Sequence, residues 1–443
     1  MRRHLPLTGI VLLGALLRLV GLGSRSLWLD EGAEYDVIRG SLGHVFDRIV
    51  DRESTPPLSY LYEWACAKVI GTSEFALRLP FALLGIALVP VMYLAARALG
   101  GGRRAGLIAA ALTACNPMLV WHAQDARAYT PLALLLAGTI LALARGRAWW
   151  WAWLAAAALA THYFAVFVLV PEAAWLLRER GRGAWRYVAI PALAAIPLVA
   201  LASSQTDARQ SWIQGISFIT RLVQVPAGFL EGYQPTRTIG AAIGVILVAA
   251  IAPALLASWR ERGGRAMVAL GASAIVLPLA AAAIGKDYIV QRNLIGALVA
   301  LTIAAAIGFA RLRRGVALAA GVCAIWIAIT VATADDPKYR REDWRGAVRV
   351  ARGAQAVMLV PRSGLSVTRY YRGALEDVDR ARVTSLAVLR MGQSNGTGCR
   401  IPDAPALPSS AVRVARGRCW EVDLHRWAQP REVVAGEDET LAR

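Results

Sequence analysis

The sequence predicts a polytopic α-helical membrane protein followed by a small soluble α/β domain. Of its 443 residues, 57% are hydrophobic, and the mean hydropathy is +0.46, which is more apolar surface than a soluble protein of this size can bury. The apolar residues form long runs that are separated by short, arginine-rich segments. From Asp335 onward the chain becomes charged, as expected for a domain in water.

Eleven apolar runs are predicted to be membrane helices. They are approximately Leu5–Gly23, Phe75–Leu99, Ala105–Val120, Ala128–Ala144, Ala148–Ala160, Phe164–Leu177, Tyr187–Ala202, Thr238–Ser258, Ala266–Ile284, Leu294–Ala310 and Gly315–Ala334. The two runs on either side of Thr161 are short, so they are either two helices or one bent helix. The first run could be a cleaved signal peptide, but no clear small-x-small cleavage site follows it, and we interpret it as an anchor.

The charges between the runs predict the orientation through the positive-inside rule. Segments on one side contain sixteen arginines, opposed only by Glu179 and Glu261. The first long loop on the other side, Ser24–Glu74, has nine acidic and five basic residues. The N-terminus is therefore predicted to be cytoplasmic, and an odd number of spans makes the C-terminal domain extracytoplasmic. The net charge of +19 belongs to this pattern, and without a basic stripe or reader motif it does not indicate nucleic-acid binding.

The predicted membrane domain, residues 1–334, contains two long outer loops. In residues 24–74, hydrophobic side chains recur every three or four positions, first from Ile38 to Ile49 and then from Leu58 to Val69. This spacing predicts two amphipathic helices on the membrane surface, separated by Thr55-Pro56-Pro57. The second loop, residues 203–237, is polar and aromatic, and we interpret it as a cover over a substrate.

Residues 335–443 are predicted to form the extracytoplasmic domain. Asp343-Trp344-Arg345 begins a helical pattern, and Ala356–Val360 is typical of a buried strand. Cys399 and Cys419 are either a disulfide or two free thiols in this domain. The five cysteines contain no Cys-x-x-Cys metal spacing.

Ionisable side chains at the outer ends of the predicted spans are the candidate functional residues, because such groups are costly there unless they have a role. They occur in four segments: Asp30-Glu31, His122–Arg127, His162-Tyr163 and Lys286–Arg292. On the predicted topology, all four lie at the same membrane face.

Each segment also has a structural explanation. Asp30-Glu31 could be a solvated turn that caps the next helix. Asp125 could be another cap, and Arg127 could reach phospholipid headgroups. His162-Tyr163 could be an interfacial aromatic pair, and the two basic residues of the last segment could bracket a span.

Five motifs in the first half of the chain carry a family resemblance. They are Ser26–Glu31, Thr55–Leu61, Glu74–Pro80, His122–Tyr129 and Thr161–Phe164. In their order and approximate spacing they resemble the family 39-type GT-C glycosyltransferases, which include the protein O-mannosyltransferases and the aminoarabinose transferases of lipid A. Tyr339–Arg345 is similar to the start of the external domain in bacterial members. Many relatives have a glutamate where this chain has Asp125.

The resemblance implies a GT-C fold and a membrane glycosyltransferase. Such an enzyme transfers a sugar from a polyprenyl-phosphate donor to an acceptor hydroxyl at the outer membrane face, with inversion. Asp30 would be the general base, and Glu31 would hold Asp30 or bind a substrate. Arg127, Arg292 and Lys286 would bind the phosphate of the leaving group. The other predicted substrate-binding residues are Pro56, Tyr60, Gln124, Asp125, Tyr129, His162 and Tyr163.

The same resemblance sets the expected cofactors and partners. No cofactor is required, although Asp30, Asp125 and His162 could hold a divalent cation. The partners are a polyprenyl-phosphate sugar, with its tail in an apolar groove beside predicted helices six to nine, membrane lipid, and an acceptor that is a protein, a lipid or a glycan. The predicted location is the bacterial cytoplasmic membrane.

Two other functions remain open from the sequence. A lipid or glycan transporter or flippase would also need buried charges among many helices. The odd number of spans, the lack of an evident inverted repeat and the large external domain disfavour it. A catalytically inactive, sugar-binding scaffold is the other function that remains possible.

Overall fold

The computed structural model describes residues 5–205, 213, 215–232, 239–335, 342–394, 399–417, 419–436 and 438–443. The α-helices are α1 Leu5–Leu19, α2 Leu29–Ile38, α3 Leu42–Arg52, α4 Leu58–Ile70, α5 Glu74–Ala96, α6 Gly102–Cys115, α7 Pro117–Ala123, α8 Tyr129–Ala144, α9 Ala148–Thr161, α10 Val166–Arg180, α11 Trp185–Ser204, α12 Phe218–Glu231, α13 Ile239–Ser258, α14 Arg262–Ala283, α15 Ile295–Arg311, α16 Gly315–Asp335, α17 Trp344–Ala351 and α18 Leu365–Arg372. The strands are β1 Ala356–Val360, β2 Asp377–Val378, β3 Arg380–Met391, β4 Gln393–Ser394, β5 Cys399–Arg400, β6 Ala411–Gly417, β7 Trp420–Val434 and β8 Thr440–Ala442.

The predicted fold class, a polytopic α-helical membrane protein with a small C-terminal α/β domain, is confirmed. The described residues of the eleven predicted runs are mainly helical, and the run Ala105–Val120 is divided at Asn116 between α6 and α7. Six helical stretches among the described residues are long and apolar enough to cross a membrane: Glu74–Cys115, Tyr163–Ser204, Ala241–Ser258, Arg262–Ala283, Gln291–Arg311 and Gly315–Ala334. Shorter apolar helices include α1 and α8. The runs around Thr161 are two separate helices, because His162 has an extended backbone between them.

Two compact units make up the chain. The first contains Met1–Val20, Val45–Cys66 and Arg78–Ala332, and the second contains Gly21–His44, Ala67–Leu77 and Thr333–Arg443. The second unit therefore includes two pieces of the first long loop, which the sequence analysis assigned to the membrane domain.

Helix α15 lies at the centre of the first unit, packed against α6, α8, α13 and α14. Its buried residues are mostly alanine, glycine and small aliphatic residues, which allow helices to approach closely. A Cβ atom at Gly308 would overlap the carbonyl oxygen of Ala254, so glycine is needed where α15 meets α13.

A buried carboxyl group joins three further helices of this unit. Glu172 on α10 accepts a hydrogen bond from Trp151 Nε1 on α9 at 2.8 Å and one from Thr139 Oγ1 on α8 at 3.1 Å. Buried polar groups are tolerated when they are hydrogen-bonded. Both partners lie on other helices, so the sequence alone does not reveal them.

The first long loop forms three helices rather than two. The predicted helix from Ile38 to Ile49 is divided into α2 and α3 by Arg39-Gly40-Ser41. Val45 and Ile49 on α3 are buried, as the periodicity predicts. The apolar spacing continues across the break, so periodicity alone could not reveal it.

A six-stranded sheet forms the core of the second unit, in the order β2-β8-β1-β3-β7-β6. Only β1 and β3 pair in parallel among its described pairs. The predicted strand Ala356–Val360 is β1, and all five of its residues are buried. Asp343 caps α17 by accepting a hydrogen bond from the Gly346 amide at 2.9 Å. Cys399 and Cys419 form a disulfide, the first of the two alternatives.

Candidate active site

Asp30 and Glu31 occupy the first turn of α2. Helix N-termini have free amide groups and a positive end of the macrodipole, and both favour carboxylates there. Glu31 is fully buried, whereas the side chain of Asp30 is only partly buried. The two adjacent carboxylates therefore differ in access: a solute can reach Asp30, while Glu31 faces protein.

A glycine and a helix of the C-terminal domain hold α2. A Cβ atom at Gly32 would lie 2.5 Å from Cβ of Val367 on α18. Only a residue without a side chain allows the two helices to come so close. The glycine that follows Asp30-Glu31 is therefore explained by packing.

The segment before α2 is held by the hydroxyl group of Tyr371. This oxygen accepts a hydrogen bond from the Leu27 amide at 2.7 Å and lies 3.1 Å from Ser26 Oγ. It donates to Glu74 Oε1 at 2.8 Å. Residues from the two ends of the chain thus fix the position at which α2, and with it Asp30, begins.

In the first unit, four predicted residues form one cluster. His122 Nδ1 lies 3.7 Å from Asp125 Oδ2, and both side chains are almost completely buried. The ring of Tyr129 lies between two imidazoles, with its centroid 4.7 Å from that of His122 and 5.7 Å from that of His162. The structure therefore brings together residues from the turn before α8 and from the break after α9.

Two arginines act on this cluster. Burial and, next, the positive charges of Arg127 and Arg292 lower the pKa of His162 to about 3. Arg292 Cζ also lies 5.9 Å from the centroid of the Tyr129 ring. His162 is therefore neutral at physiological pH, and the positive charge of the cluster resides on the guanidinium groups.

The neutral His162 presents a defined proton. Its Nδ1 accepts a hydrogen bond from the Phe164 amide at 3.2 Å, so the ring proton is assigned to Nε2. With two guanidinium groups and one imidazole N–H, the cluster is suited to an anion with hydroxyl groups beside it.

Other predicted residues have structural contacts. Gln124 Nε2 donates to the carbonyl oxygens of Leu17, Arg18 and Val20 at 3.0 to 3.3 Å, at the C-terminal end of α1. Tyr60 is buried and donates to Glu53 Oε2 at 2.6 Å. Their roles in substrate binding stay predictions.

The remaining predicted residues lie near loops. Tyr163 OH donates to Gln205 Oε1 at 3.0 Å. Pro56 is buried before α4, and Lys286 is exposed. Among the described residues, no group of three or more His, Cys, Asp or Glu side chains is placed to hold a metal ion. From the sequence, a divalent cation is an open alternative and not a prediction.

Arg221, on α12, is not among the residues predicted from the sequence. Its guanidinium group is almost completely buried and binds Asp287 bidentately, with Nη1 to Oδ1 at 2.7 Å and Nη2 to Oδ2 at 2.6 Å. Nη1 also donates to the Ile289 carbonyl at 3.0 Å. Hydrogen bonding to Arg221 holds the pKa of Asp287 below its usual range. These contacts fix the segment that carries Arg292.

A signal for Arg221 was present in the sequence. It is an arginine within an apolar stretch of the second predicted outer loop, where the positive-inside rule does not require one. Helix α12 is formed by the central residues of that loop. Two of the aromatic residues that suggested a cover, Trp212 and Tyr233, lie outside the described residues.

Residues 54–205 match the family model described as dolichyl-phosphate-mannose-protein mannosyltransferase. The match includes four of the five motifs and confirms, for these residues, the resemblance to GT-C glycosyltransferases. Ser26–Glu31 precedes the matched region. A search of curated proteins finds no match.

Two kinds of solved structure are similar to the chain. ArnT from Cupriavidus metallidurans, in the apo state and bound to undecaprenyl phosphate, aligns at 19% identity with a TM-score of 0.49, over 73% of this chain and 63% of ArnT. The Archaeoglobus fulgidus oligosaccharyltransferase, in a complex with Zn and sulfate, aligns at 15% identity with a TM-score of 0.46, over 83% of this chain and 57% of that protein. The chain thus spans less than two thirds of the length of each.

Proposed function

We propose that this protein is a membrane glycosyltransferase that moves a sugar from a polyprenyl-phosphate donor to an acceptor hydroxyl, with inversion at the sugar. The observation that carries the proposal is the buried cluster in which Arg127 and Arg292 act on a neutral His162. The family match over residues 54–205 supports the reaction class.

The cluster suits the leaving group. When the bond between the sugar and the phosphate breaks, negative charge grows on the polyprenyl phosphate. Guanidinium groups can bind phosphate oxygens bidentately, and their contact strengthens as this charge develops. The Nε2 proton of His162 is available for a phosphate or sugar oxygen. Asp125, Tyr129 and His122 form the wall beside it.

Asp30 is the proposed general base. An acceptor hydroxyl is a weak nucleophile until a base takes its proton during the attack. The proton passes to the Asp30 carboxylate, the acceptor oxygen bonds to the sugar carbon, and polyprenyl phosphate leaves from the opposite face. Asp30 is accessible and is held rigidly through Gly32 and Tyr371, which suits a residue that must meet a substrate.

A cleft between α10 and α14 is the proposed binding site for the lipid tail of the donor. It has a volume of about 670 Å³ and is lined by apolar residues that include Leu143, Trp175 and Leu270. Arg178, Glu179 and Arg262 also line it. The cleft therefore lies at the ends of these helices that are predicted to be cytoplasmic, and it would hold only the distal part of a tail whose phosphate binds at the outer face. These helices are the sixth and ninth of the predicted spans, beside which the tail was expected.

The proposed orientation places the N-terminus in the cytoplasm and the second unit outside. The arginine distribution supports this orientation. The Cys399–Cys419 disulfide supports it independently, because disulfides persist in oxidising compartments.

Donor turnover in proteoliposomes tests the proposal. Wild-type protein is supplied with a panel of radiolabelled polyprenyl-phosphate sugars, and sugar released to water or to acceptor is counted. Asp30→Asn should lower turnover by about 10²- to 10⁴-fold, the usual contribution of a general base. Asp47→Asn is the matched control, since Asp47 is an exposed carboxylate in the same loop.

Two results would contradict the proposal. Equal turnover by wild type and a folded Asp30→Asn variant would remove Asp30 as the base. Transport of an intact donor across the bilayer, without release of sugar, would favour the flippase alternative instead.

A further inference from the structure

A second cleft, which is polar, is lined only by residues of the second unit. Its volume is about 580 Å³. Arg345, Arg349 and Arg352 line it, and Glu74 is the carboxylate among its described lining residues. None of these residues belongs to the donor cluster proposed above.

One of the three arginines, Arg345, is paired with a carboxylate. Glu74 Oε1 accepts from Arg345 Nε at 2.9 Å and lies 2.7 Å from its Nη2. The same oxygen accepts from the Tyr371 hydroxyl. The carboxylate is therefore engaged by Arg345 and does not compensate the charge of the other two arginines.

The other two guanidinium groups, on Arg349 and Arg352, form no ion pair with the described residues. The three arginines are four and three residues apart, which places them along one side of α17 and its C-terminal end. Arg349 is exposed, and its side chain makes no hydrogen bond or ion pair with the described residues. Arg352 is also exposed, and Nη2 donates to the Tyr371 carbonyl at 3.1 Å, which orients the group without neutralising it.

Tyrosine rings form the opposite wall. The centroids of Tyr35 and Tyr370 are 4.8 Å apart with the ring planes at 86°, and those of Tyr370 and Tyr371 are 4.8 Å apart at 88°. Edge-to-face pairs of this kind hold aromatic rings in place. Thr72 and Ser73 add two hydroxyl groups, and the described lining contains no aliphatic side chain. The cleft offers charge and hydrogen bonds but no surface for an acyl chain.

We propose that this cleft binds an anionic carbohydrate, with a phosphate or carboxylate group between Arg349 and Arg352. Guanidinium groups are the side chains best matched to such anions. The hydroxyl groups around the cleft can donate to and accept from sugar hydroxyls. Tyr35 belongs to α2, so the ligand would contact the helix that carries Asp30. The proposal concerns binding and does not depend on transferase activity.

Calorimetric titration of the full-length protein in phosphatidylcholine nanodiscs tests the proposal. Mannose 6-phosphate is the probe, and mannose and inorganic phosphate are the matched ligands. The phosphorylated sugar should bind at least about tenfold more tightly than mannose, since a charge-assisted contact contributes about a factor of ten or more. It should also bind more tightly than inorganic phosphate, because only the sugar adds hydrogen bonds through its hydroxyl groups. Raising the salt concentration should weaken this binding.

Variants assign the binding to the cleft. The double variant Arg349→Gln/Arg352→Gln should lose the preference for the phosphorylated sugar, and both residues are exposed, so the fold should persist. Arg413→Gln, an exposed arginine on β6 of the same unit, should keep it. A preference retained by the double variant would overturn the proposal.

Three further outcomes would also overturn it. Equal binding of mannose would exclude recognition of the charge. Equal binding of inorganic phosphate would leave an anion site without recognition of the sugar. If phosphatidylglycerol in the nanodisc displaces the probe from the wild-type protein and from Arg413→Gln alike, the ligand is a lipid headgroup rather than a carbohydrate.

Discussion

Arg221→Gln should loosen the segment that carries Arg292 without unfolding the protein. The change removes two short bonds to Asp287, one to the Ile289 carbonyl and one from Nε to the Ile216 carbonyl. A bond to a charged group contributes about 1.5–3 kcal/mol, and breaking a buried pair costs about 3–5 kcal/mol. The Asp287 side chain is 25% exposed and can recover some hydration, so we expect a loss near the lower end, about 3 kcal/mol. This corresponds to roughly a hundredfold more frequent local opening.

Hydrogen–deuterium exchange in nanodiscs measures that opening. Backbone amides between Lys286 and Arg292 should exchange about a hundredfold faster, while those of α15 should be unaffected. Arg52→Gln, at an exposed arginine at the end of α3, is the control and should leave exchange unchanged. The apparent KM for the donor should rise, because Arg292 would be held less firmly.

A double-mutant cycle with Asp287→Asn gives the decisive comparison. If the two side chains act as one pair, the double variant should be little worse than either single variant. Effects that add to within about 0.5 kcal/mol would show that the groups are energetically independent and would refute the reasoning.

Three further predictions concern the same two units. Gly32→Ala should destabilise the second unit by about 1–3 kcal/mol through overlap with α18 and should lower donor turnover. Gly43→Ala should do neither, because its Cβ atom would meet only Ser41 Oγ, at an ordinary contact distance of 3.8 Å. Equal thermal stability of the two variants would contradict the packing argument. Tyr371→Phe should lower the free energy of unfolding by about 1–3 kcal/mol, because the Leu27 amide loses its acceptor; calorimetry should detect the loss, and an unchanged transition would contradict it. The pKa of Asp287 is lowered in the folded protein, so its ion pair should stabilise the protein fully above the unfolded pKa of about 3.9. This stabilisation should disappear as the pH falls through the lower pKa of the folded protein. If the rate of hydrogen–deuterium exchange between Lys286 and Arg292 does not depend on pH in this range, after correction for intrinsic rates, that result would count against the ion pair.

The membrane helices could be predicted from sequence because their signal is local. Each run from Leu5–Gly23 to Gly315–Ala334 is apolar over its own length, and the described residues of these runs are mainly helical. The buried strand Ala356–Val360 and the helix that starts at Trp344 were recognisable for the same reason. Local composition decides these elements before any tertiary contact is made.

Local composition does not predict which segments of the chain belong to each of the two units. This membership depends on contacts such as the Leu27–Tyr371 hydrogen bond, across a separation of 344 residues. Gln124 is a similar example: its amide group binds carbonyl oxygens at the end of α1, a contact that its motif does not reveal. Motifs identify which residues matter, whereas partners so distant in sequence emerge only from the fold.

The Leu27–Tyr371 bond also sets an order of events during biosynthesis. At about 5–20 residues per second, the ribosome makes Tyr371 roughly 17–70 seconds after Leu27, given their separation of 344 residues. Throughout that interval α2 lacks the helix against which Gly32 packs. A nascent chain that stops after α16 would therefore carry every predicted membrane helix and yet have no support for Asp30, so the candidate base is among the last groups of the protein to reach its final position.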